Sequence, residues 1–270
     1  MKLDLHLHST ASDGSLSPSA LMWAARAGGL DVVALTDHDT CAGIAEALAS
    51  LPPNLHLVPG IELSTTLDGV ELHILGYFID YQNAALSAHA GEAAERRAER
   101  VRKMVACLAR YSIHITYDEV VAEAGETRGV LARPHVARVM LRKGYVQTIA
   151  EAFDRFIGDA GPCFLPTELL HPRAAIELIA GAGGVAMWAH PRPDQFERLI
   201  AELTDWGLRG VECIRPRLQP SEIQFFEESA RTRDLLISGG SDWHGTWHGR
   251  LGDFFIRADE VAELLDVGGL

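Results

Sequence analysis

The sequence predicts an α/β fold in which about seven strands form a barrel with helices around it. Short apolar segments rich in β-branched residues recur along the chain, and helix-like segments separate most of them. Strands that alternate with helices at this spacing are typical of parallel βαβ units. Seven such strands favour a barrel, with an open doubly wound sheet as the alternative. The predicted strands cover residues 3–7, 31–36, 55–61, 70–78, 185–189, 210–214 and 235–238.

The helical segments carry recognisable start and stop signals. Ser17-Pro18 opens the first helix and Gly28-Gly29 closes it, because serine caps a helix and glycine tolerates the left-handed conformation that ends one. Further helices are predicted at 40–50, 171–182, 193–206 and 220–233.

The alternation of strands and helices stops between residues 81 and 166. This stretch has no convincing strand and contains a long charged helix at 84–110, followed by helices at 117–124, 134–143 and 148–157. We therefore expect residues 1–80 and 167–270 to form the barrel, and residues 81–166 to form a helical insertion over one end of it.

Composition and charge exclude several classes of protein. The formal net charge of −13 over 270 residues argues against broad binding to duplex DNA. No apolar run approaches the roughly 20 residues of a membrane span, and no signal-peptide pattern is visible, so a cytoplasmic location is expected. The four cysteines form no CxxC pair, and we expect them to be reduced thiols: Cys41, Cys107, Cys163 and Cys213.

Histidines and carboxylates recur in or just after the predicted strands. His6 and His8 are two residues apart in the first strand, so both point to the same face. Asp13 follows in a glycine-containing loop, where a turn residue is the simpler interpretation. Because the carboxyl ends of parallel barrel strands meet at one face, we expect these side chains to converge with others in similar positions. These others are Asp37, His38, Asp39, Glu62, His73, His190, Asp242 and His244.

Imidazole and carboxylate groups in one place are the donor set of a metal centre. They suit Mn, Fe or Zn, and crowding them without cations would cost several kcal/mol in desolvation and repulsion. Two or three neighbouring ions can activate water and stabilise both the attacking and leaving oxygens of a phosphoryl group. The sequence thus predicts metal-dependent phosphoester hydrolysis.

Taken together, these motifs resemble the polymerase and histidinol phosphatase (PHP) family from residue 3 to about 250. Their order is most similar to the stand-alone members that remove the 3′-phosphate of nucleoside 3′,5′-bisphosphates or act as 5′-3′ exoribonucleases. The motifs are His6-x-His8 with Asp13, Thr36-Asp37-His38-Asp39, Gly60-Ile61-Glu62, His73, Arg133-Pro134-His135, Ala189-His190-Pro191 and Ser241-Asp242-Trp243-His244-Gly245.

The resemblance implies a distorted (β/α)7 barrel, three divalent ions and nine ligands. The first ion would be held by His6, His8, Glu62 and Asp242, the second by Glu62, His73 and His135, and the third by Asp13, His38 and His244. Mn is the expected metal, with Fe and Zn as alternatives.

Several other residues are expected to contact the substrate or to support the ligands. His190 is interpreted as a phosphate contact or proton donor, and Asp13 and His38 as catalytic residues within the metal centre. Asp37 would orient a ligand, and Asp39 would cap a helix. Arginine matches phosphate oxygens well, so four arginines are candidate substrate-binding residues: Arg97, Arg100, Arg133 and Arg192.

The predicted substrate is a small nucleotide such as 3′,5′-bisphosphoadenosine (pAp). The alternatives are exonucleolytic cleavage of short 5′-phosphorylated RNA, hydrolysis of histidinol phosphate, and a metal-binding scaffold without turnover. An intact ligand set argues against the scaffold. The sequence leaves the oligomeric state open.

Overall fold

The computed structural model describes residues 1–125, 131–165 and 169–270, and eight strands in this part of the chain form one sheet. The order across the sheet is β7-β6-β5-β4-β3-β2-β1-β8. The strands are β1 (Lys2–Leu7), β2 (Val32–Leu35), β3 (His56–Leu67), β4 (Val70–Tyr77), β5 (Val185–Ala189), β6 (Gly210–Ile214), β7 (Leu236–Gly239) and β8 (Ile256–Arg257).

Ten α-helices are described, and six of them accompany the strands. These are α1 (Pro18–Ala27), α2 (Ile44–Ala49), α7 (Pro172–Gly181), α8 (Pro193–Asp205), α9 (Pro220–Arg231) and α10 (Ala262–Gly268). The other four are α3 (Ala84–Ala109), α4 (Tyr117–Ala124), α5 (Arg133–Arg142) and α6 (Ile149–Ala152), which runs on into a π-helical turn at Phe153–Ile157.

The sheet curls until its two ends nearly meet, which confirms the predicted α/β barrel. After β7 the chain runs beside β1, where Leu7 pairs with Trp243 in parallel and the His8 amide donates to the Trp243 carbonyl at 3.0 Å. Gly240 permits this approach, because a Cβ there would lie 2.3 Å from Cβ of His6. Closure brings the strand ends near Asp242 next to those of β1.

The parallel pairing expected of βαβ units does not extend to β4, which runs antiparallel to both β3 and β5. A two-residue turn, Asp68-Gly69, joins β3 to β4, and both residues have positive φ as a type I′ hairpin requires. Strand β3 extends six residues beyond its predicted end at Ile61. The extension was missed because the residues that follow Ile61 are mostly polar.

Helices α3 to α6 and the π-helical turn bury an apolar cluster of their own, separate from the barrel core. This cluster includes Val101, Met104, Val136, Met140 and Ile157. We name residues 81–165 the insertion; the structure does not describe residues 126–130 within it. The predicted boundary at 166/167 also lies outside the described residues. The division into domains therefore stays a prediction.

The expectation of four reduced thiols is wrong for two cysteines. Cys107 near the end of α3 and Cys163 after the π-helical turn form a disulfide, 56 residues apart in sequence. Cys41 and Cys213 are free. Sequence spacing could not reveal the pair, because the insertion's tertiary packing brings the two segments together.

Among the described helices, none combines the length and apolar character that crossing a membrane requires.

Candidate metal centre

Glu62 lies at the centre of a cluster of imidazoles at one end of the barrel. Its side chain is completely buried on β3, just beyond the point where β2 ends. Its two carboxylate oxygens lie 2.9–3.3 Å from ring nitrogens of five histidines: His6, His8, His38, His73 and His190. One carboxylate in contact with so many imidazoles is the arrangement of a bridging ligand.

The side chains form three overlapping groups whose ligand atoms lie within 4.8 Å of one another. One group comprises His6, His8, Glu62 and Asp242; a second comprises His8, Asp13, His38 and His244; a third comprises His38, Glu62 and His73. Because His8, His38 and Glu62 each belong to two groups, the groups are adjacent. Eight of the nine predicted ligands therefore come together, although the chain positions span residues 6 to 244.

The donor atoms fit divalent cations. Several of them are buried and have no hydrogen-bond partner among the described residues, including Nε2 of His6, both ring nitrogens of His8 and Oε2 of Glu62. Such atoms are costly to bury unless something occupies their lone pairs. Nitrogen and carboxylate oxygen donors in groups of three or four supply what a metal ion needs.

The pKa values of His6 and His73 show the same need for positive charge. Burial lowers the pKa of His6, but Glu62, Glu212 and Asp242 outweigh it and raise the pKa well above its ordinary value. Burial likewise lowers the pKa of His73, yet Glu62 and Glu71 bring it to about 10. The carboxylates therefore favour protons on these two imidazoles, and bound cations would supply the same charge in their place.

Glu212 on β6 is a supporting residue that the sequence analysis missed. Its Oε1 lies 2.9 Å from Nδ1 of His6, and its Oε2 accepts from the His190 amide at 2.8 Å. A carboxylate on Nδ1 directs Nε2 of His6 towards the centre, as carboxylates behind metal-bound histidines commonly do. A buried glutamate within the apolar segment GVECI was the available signal.

Asp37 is buried at the end of β2 and bonds to the loop that leads to Asp13. Its carboxylate accepts from the amide and hydroxyl of Ser9 at 2.8 and 2.7 Å and from the Ser12 hydroxyl at 2.6 Å. These bonds hold the loop that carries Asp13 against the end of β2.

Asp39 does not cap a helix, since α2 begins at Ile44 with Gly43 as its cap. It forms a buried ion pair with Arg97, whose Nε and Nη2 lie 2.8 and 2.6 Å from Oδ2. Arg97 also donates to the Ser64 hydroxyl. The guanidinium predicted to bind substrate is thus largely engaged within the protein, and it joins α3 to the barrel.

A cavity of about 790 Å³ lies between the metal centre and the insertion. Asp13, His38, His73, Asp242 and His244 line it on the barrel side. The insertion contributes three arginines and apolar side chains from α5, α6 and the π-helical turn: Arg97, Arg100, Arg133, Leu141, Ile149 and Phe153. The volume is that of a typical small-molecule site.

Arg100 and Arg133 place positive charge on the insertion wall of this cavity. Both guanidiniums lie over the Phe164 ring and share Glu71, at 3.5 and 3.9 Å. Burial lowers the pKa of Arg100, whereas the negative charge of Glu71 raises it. The neighbouring charges of Arg133 and Arg97 lower it further, and the resulting pKa of Arg100 is about 10. Nε and Nη2 of Arg100 have no hydrogen-bond acceptor among the described residues. Arg133 is also paired with Asp159 at 2.8 Å. The unused buried donors of Arg100 nevertheless suit this wall to an anionic group.

Arg192, by contrast, is not among the residues that line the cavity. It is exposed at the start of α8 and pairs with Asp194 at 3.4 Å. The residues that line the cavity but were not predicted include Trp247, His248 and Arg217.

The sequence profile of the PHP domain matches residues 4–162, more than half of the chain. The chain belongs to the PHP family. A 5′-3′ exoribonuclease from Haemophilus influenzae is 36% identical over 249 residues, covering 90% of each protein. A 3′,5′-nucleoside bisphosphate phosphatase from Chromobacterium violaceum is 32% identical over 253 residues, which cover 92% of this chain and 88% of the relative.

A solved structure from Bifidobacterium adolescentis, assigned as a metal-dependent phosphoesterase, has the same fold. Its TM-score is 0.85 at 31% identity, covering 98% of this chain and 96% of the other. The PHP resemblance and the fold predicted from the sequence are therefore both confirmed.

One histidine departs from the PHP ligand set predicted from the sequence. His135 is not part of any of the three groups found among the described residues. It occupies the first turn of α5, where its Nδ1 accepts from the Ala132 amide at 3.0 Å. His190 lies instead beside the third group: its Nε2 is 2.9 Å from Glu62, and its ring centroid is 5.0 Å from that of His73.

Proposed function

We propose that the chain is a metal-dependent phosphoesterase that removes the 3′-phosphate of nucleoside 3′,5′-bisphosphates such as pAp. The observation that carries this proposal is the two-sided cavity. One wall is a cluster of ligands for several ions, and the opposite wall presents Arg100 and Arg133. A substrate with two phosphates on one small body matches both walls at once. The 3′,5′-nucleoside bisphosphate phosphatase of C. violaceum adds support at 32% identity.

We assign the ligands as follows. The first ion would be held by His6, His8, Glu62 and Asp242, the second by Glu62, His73 and His190, and the third by Asp13, His38 and His244. His190 thus replaces His135 in the second set and would serve as a ligand rather than as a proton donor.

Bound divalent ions would activate water and neutralise the charge that develops on the phosphoryl oxygens. The protein's own groups hold that arrangement in place. Glu212 fixes the ring of His6 and the backbone of His190, and Asp37 fixes the Asp13 loop. On the opposite wall, Arg100 and Arg133 would hold the 5′-phosphate and so position the 3′-phosphate at the ligands.

We further propose Mn²⁺ as the ion, with Fe²⁺ and Zn²⁺ as alternatives, because nitrogen and oxygen donors without thiolates suit all three. Elemental analysis of the purified protein, followed by removal and return of each ion, measures which one restores phosphate release.

The substrate proposal is tested by comparing pAp with adenosine 3′-monophosphate, which lacks the 5′-phosphate. Arg100→Gln and Arg133→Gln should each lower kcat/KM for pAp roughly 10- to 100-fold, the worth of one charge-assisted hydrogen bond. Adenosine 3′-monophosphate should be hydrolysed equally by wild type and variants. Arg102 lies on the exposed face of α3, the helix that carries Arg100, so Arg102→Gln is the charge-matched control.

Metal content should be unchanged in all three arginine variants. Equal losses on both substrates would remove the arginines from 5′-phosphate recognition. Histidinol phosphate is included as a third substrate, and hydrolysis of it in preference to pAp would reject the nucleotide assignment. No turnover of any substrate by the metal-loaded protein would leave only a metal-binding scaffold.

A second candidate function is 5′-3′ exoribonuclease activity on short 5′-phosphorylated RNA. The H. influenzae relative, an exoribonuclease 36% identical over 90% of this chain, favours it. The chemistry is the same: in both substrates water attacks the phosphorus on the 3′-oxygen of the first nucleotide, and the P–O3′ bond breaks. The two activities therefore differ only in what is attached to the far side of that phosphorus.

A further inference from the structure

A second, smaller cavity of about 220 Å³ adjoins the metal centre. We name it the side cavity; its lining includes His190, Arg215, Arg217, Asp242 and His248. Arg217, Asp242 and His248 also line the large cavity. The two spaces therefore adjoin each other beside Asp242, one of the residues of the metal centre.

The side cavity contains two arginines that have no direct ion-pair partner among the described residues. Neither Arg215 nor Arg217 forms an ion pair with any described residue. Nη2 of Arg215 donates to the Pro191 carbonyl at 2.7 Å, but its buried Nη1 has no hydrogen-bond acceptor in the described part of the chain. Three carboxylates act electrostatically on Arg215, namely Glu212, Glu222 and Asp242. Each has another partner: Glu212 holds His6 and the His190 amide, Glu222 accepts from the Gln219 amide, and Asp242 lies among the ligands.

The reaction chemistry determines what lies on each side of the scissile phosphorus. If the first nucleotide fills the large cavity, its 3′-oxygen is the leaving group. Water forms a new bond to phosphorus, the P–O3′ bond breaks, and the 3′-oxygen takes a proton. In a bisphosphate the product is inorganic phosphate, whereas in RNA the phosphorus keeps the 5′-oxygen of the next nucleotide. The rest of an RNA strand must then leave the metal centre on the side away from the large cavity.

Resting on the proposed phosphoesterase function, we propose that the side cavity binds the next phosphate of an oligoribonucleotide, one nucleotide beyond the scissile bond. Arg215 and Arg217 supply the donors that a phosphate accepts from. The volume lies below the roughly 300–1,000 Å³ of sites that enclose a whole small ligand, so it suits a phosphate with part of a ribose. Short 5′-phosphorylated RNA is then a substrate of the same centre that hydrolyses a bisphosphate.

The contribution of the next phosphate to kcat/KM is measured by comparing three substrates: pAp, a 5′-phosphorylated dinucleotide and a 5′-phosphorylated trinucleotide. Each offers the same scissile P–O3′ bond, but only the trinucleotide carries a phosphate beyond it in the first cleavage. Wild type should cleave the trinucleotide with a kcat/KM about 10-fold or more above that of the dinucleotide. Arg215→Gln should abolish that advantage and leave pAp and the dinucleotide within about 2-fold of wild type, and Arg215→Lys should restore part of it.

Arg198→Gln removes an equal charge from the exposed face of α8 and should change none of the three rates. A wild-type enzyme that prefers the dinucleotide, or treats both alike, would overturn the proposal. So would an Arg215→Gln variant that loses all three activities equally, because Arg215 would then act by holding Pro191 and His190. If the metal-loaded wild type hydrolyses neither pAp nor RNA, the proposed function itself fails, which is a different result.

Discussion

The barrel and the insertion supply opposite halves of the cavity, and they differ in how directly sequence reports on them. In the barrel, the proposed ligands lie on neighbouring strands or in the loops that follow them, so closure of the sheet brings residues as distant as His6 and Asp242 together. In the insertion, helices are joined by loops and docked through side chains. Nearness in sequence to a motif there does not determine which way a residue points.

This difference explains where sequence reasoning succeeded. Helix α1 was predicted with both its bounds, and α3 to within one residue, because caps and amphipathic periodicity are local signals. The clustering of the barrel histidines and carboxylates was predicted because neighbouring strands of a barrel bring such side chains together. Glu212 was missed for the opposite reason: it faces inwards from the middle of a strand that otherwise appears to be wholly apolar.

The contacts that the sequence did not indicate are concentrated in the insertion and where it meets the barrel. His135 follows Arg133-Pro134 in a ligand-like motif, yet its Nδ1 accepts a hydrogen bond from the Ala132 amide at the N-terminus of α5. Arg97 was expected to face the substrate but neutralises Asp39 across the boundary between the two regions. The Cys107–Cys163 disulfide depends on packing between segments 56 residues apart. None of these contacts has a period or spacing that a single sequence displays.

The Asp39–Arg97 ion pair is the strongest test of how the insertion is joined to the barrel. Asp39→Asn keeps the shape and tolerates the positive φ, but it leaves the Arg97 charge buried without its partner. We expect a loss of about 3–5 kcal/mol in the free energy of unfolding, measured by urea denaturation at pH 7. Asp31→Asn, which breaks a surface pair with Arg26, should cost under about 1 kcal/mol.

The pH dependence of this effect has a definite sign. Burial raises the pKa of Asp39, but Arg97 outweighs it and holds the pKa well below its ordinary value. The stabilisation is then present above the unfolded pKa of about 3.9 and is lost as pH falls through the folded pKa. Equal destabilisation by the Asp39 and Asp31 variants would show that the junction is not anchored by this pair.

The disulfide should stabilise the insertion alone. Replacing Cys107 and Cys163 together by serine should cost the insertion about 2–4 kcal/mol, because a closed loop of this length restricts the unfolded chain. Hydrogen exchange should accelerate in α4 to α6 and leave β1 to β3 unchanged. The KM for pAp should rise as well, since Phe164, next to Cys163, packs against Arg100 and Arg133. Uniform acceleration across both regions would refute the separation into two cooperative units.

Glu212→Gln tests support within the barrel and should have the smallest effect. The amide keeps the size of the side chain but weakens the polarisation of His6, and metal affinity should fall about 10- to 100-fold. Activity should return at saturating metal, which separates a positioning residue from one that touches substrate. Glu197→Gln on the exposed face of α8 is the control. Loss of activity that excess metal does not restore would contradict this role.

The comparison of the two regions is tested most directly by the metal content of two histidine variants, His190→Asn and His135→Asn. His190 belongs to the barrel beside Glu62, whereas His135 belongs to the insertion and accepts a backbone hydrogen bond that the asparagine oxygen can also accept. Elemental analysis after equilibration with a buffered concentration of free Mn²⁺ that just saturates wild type should show that His190→Asn loses one ion per chain while His135→Asn keeps the wild-type number. Loss of an ion from His135→Asn, with His190→Asn fully loaded, would contradict the assignment of ligands to the barrel.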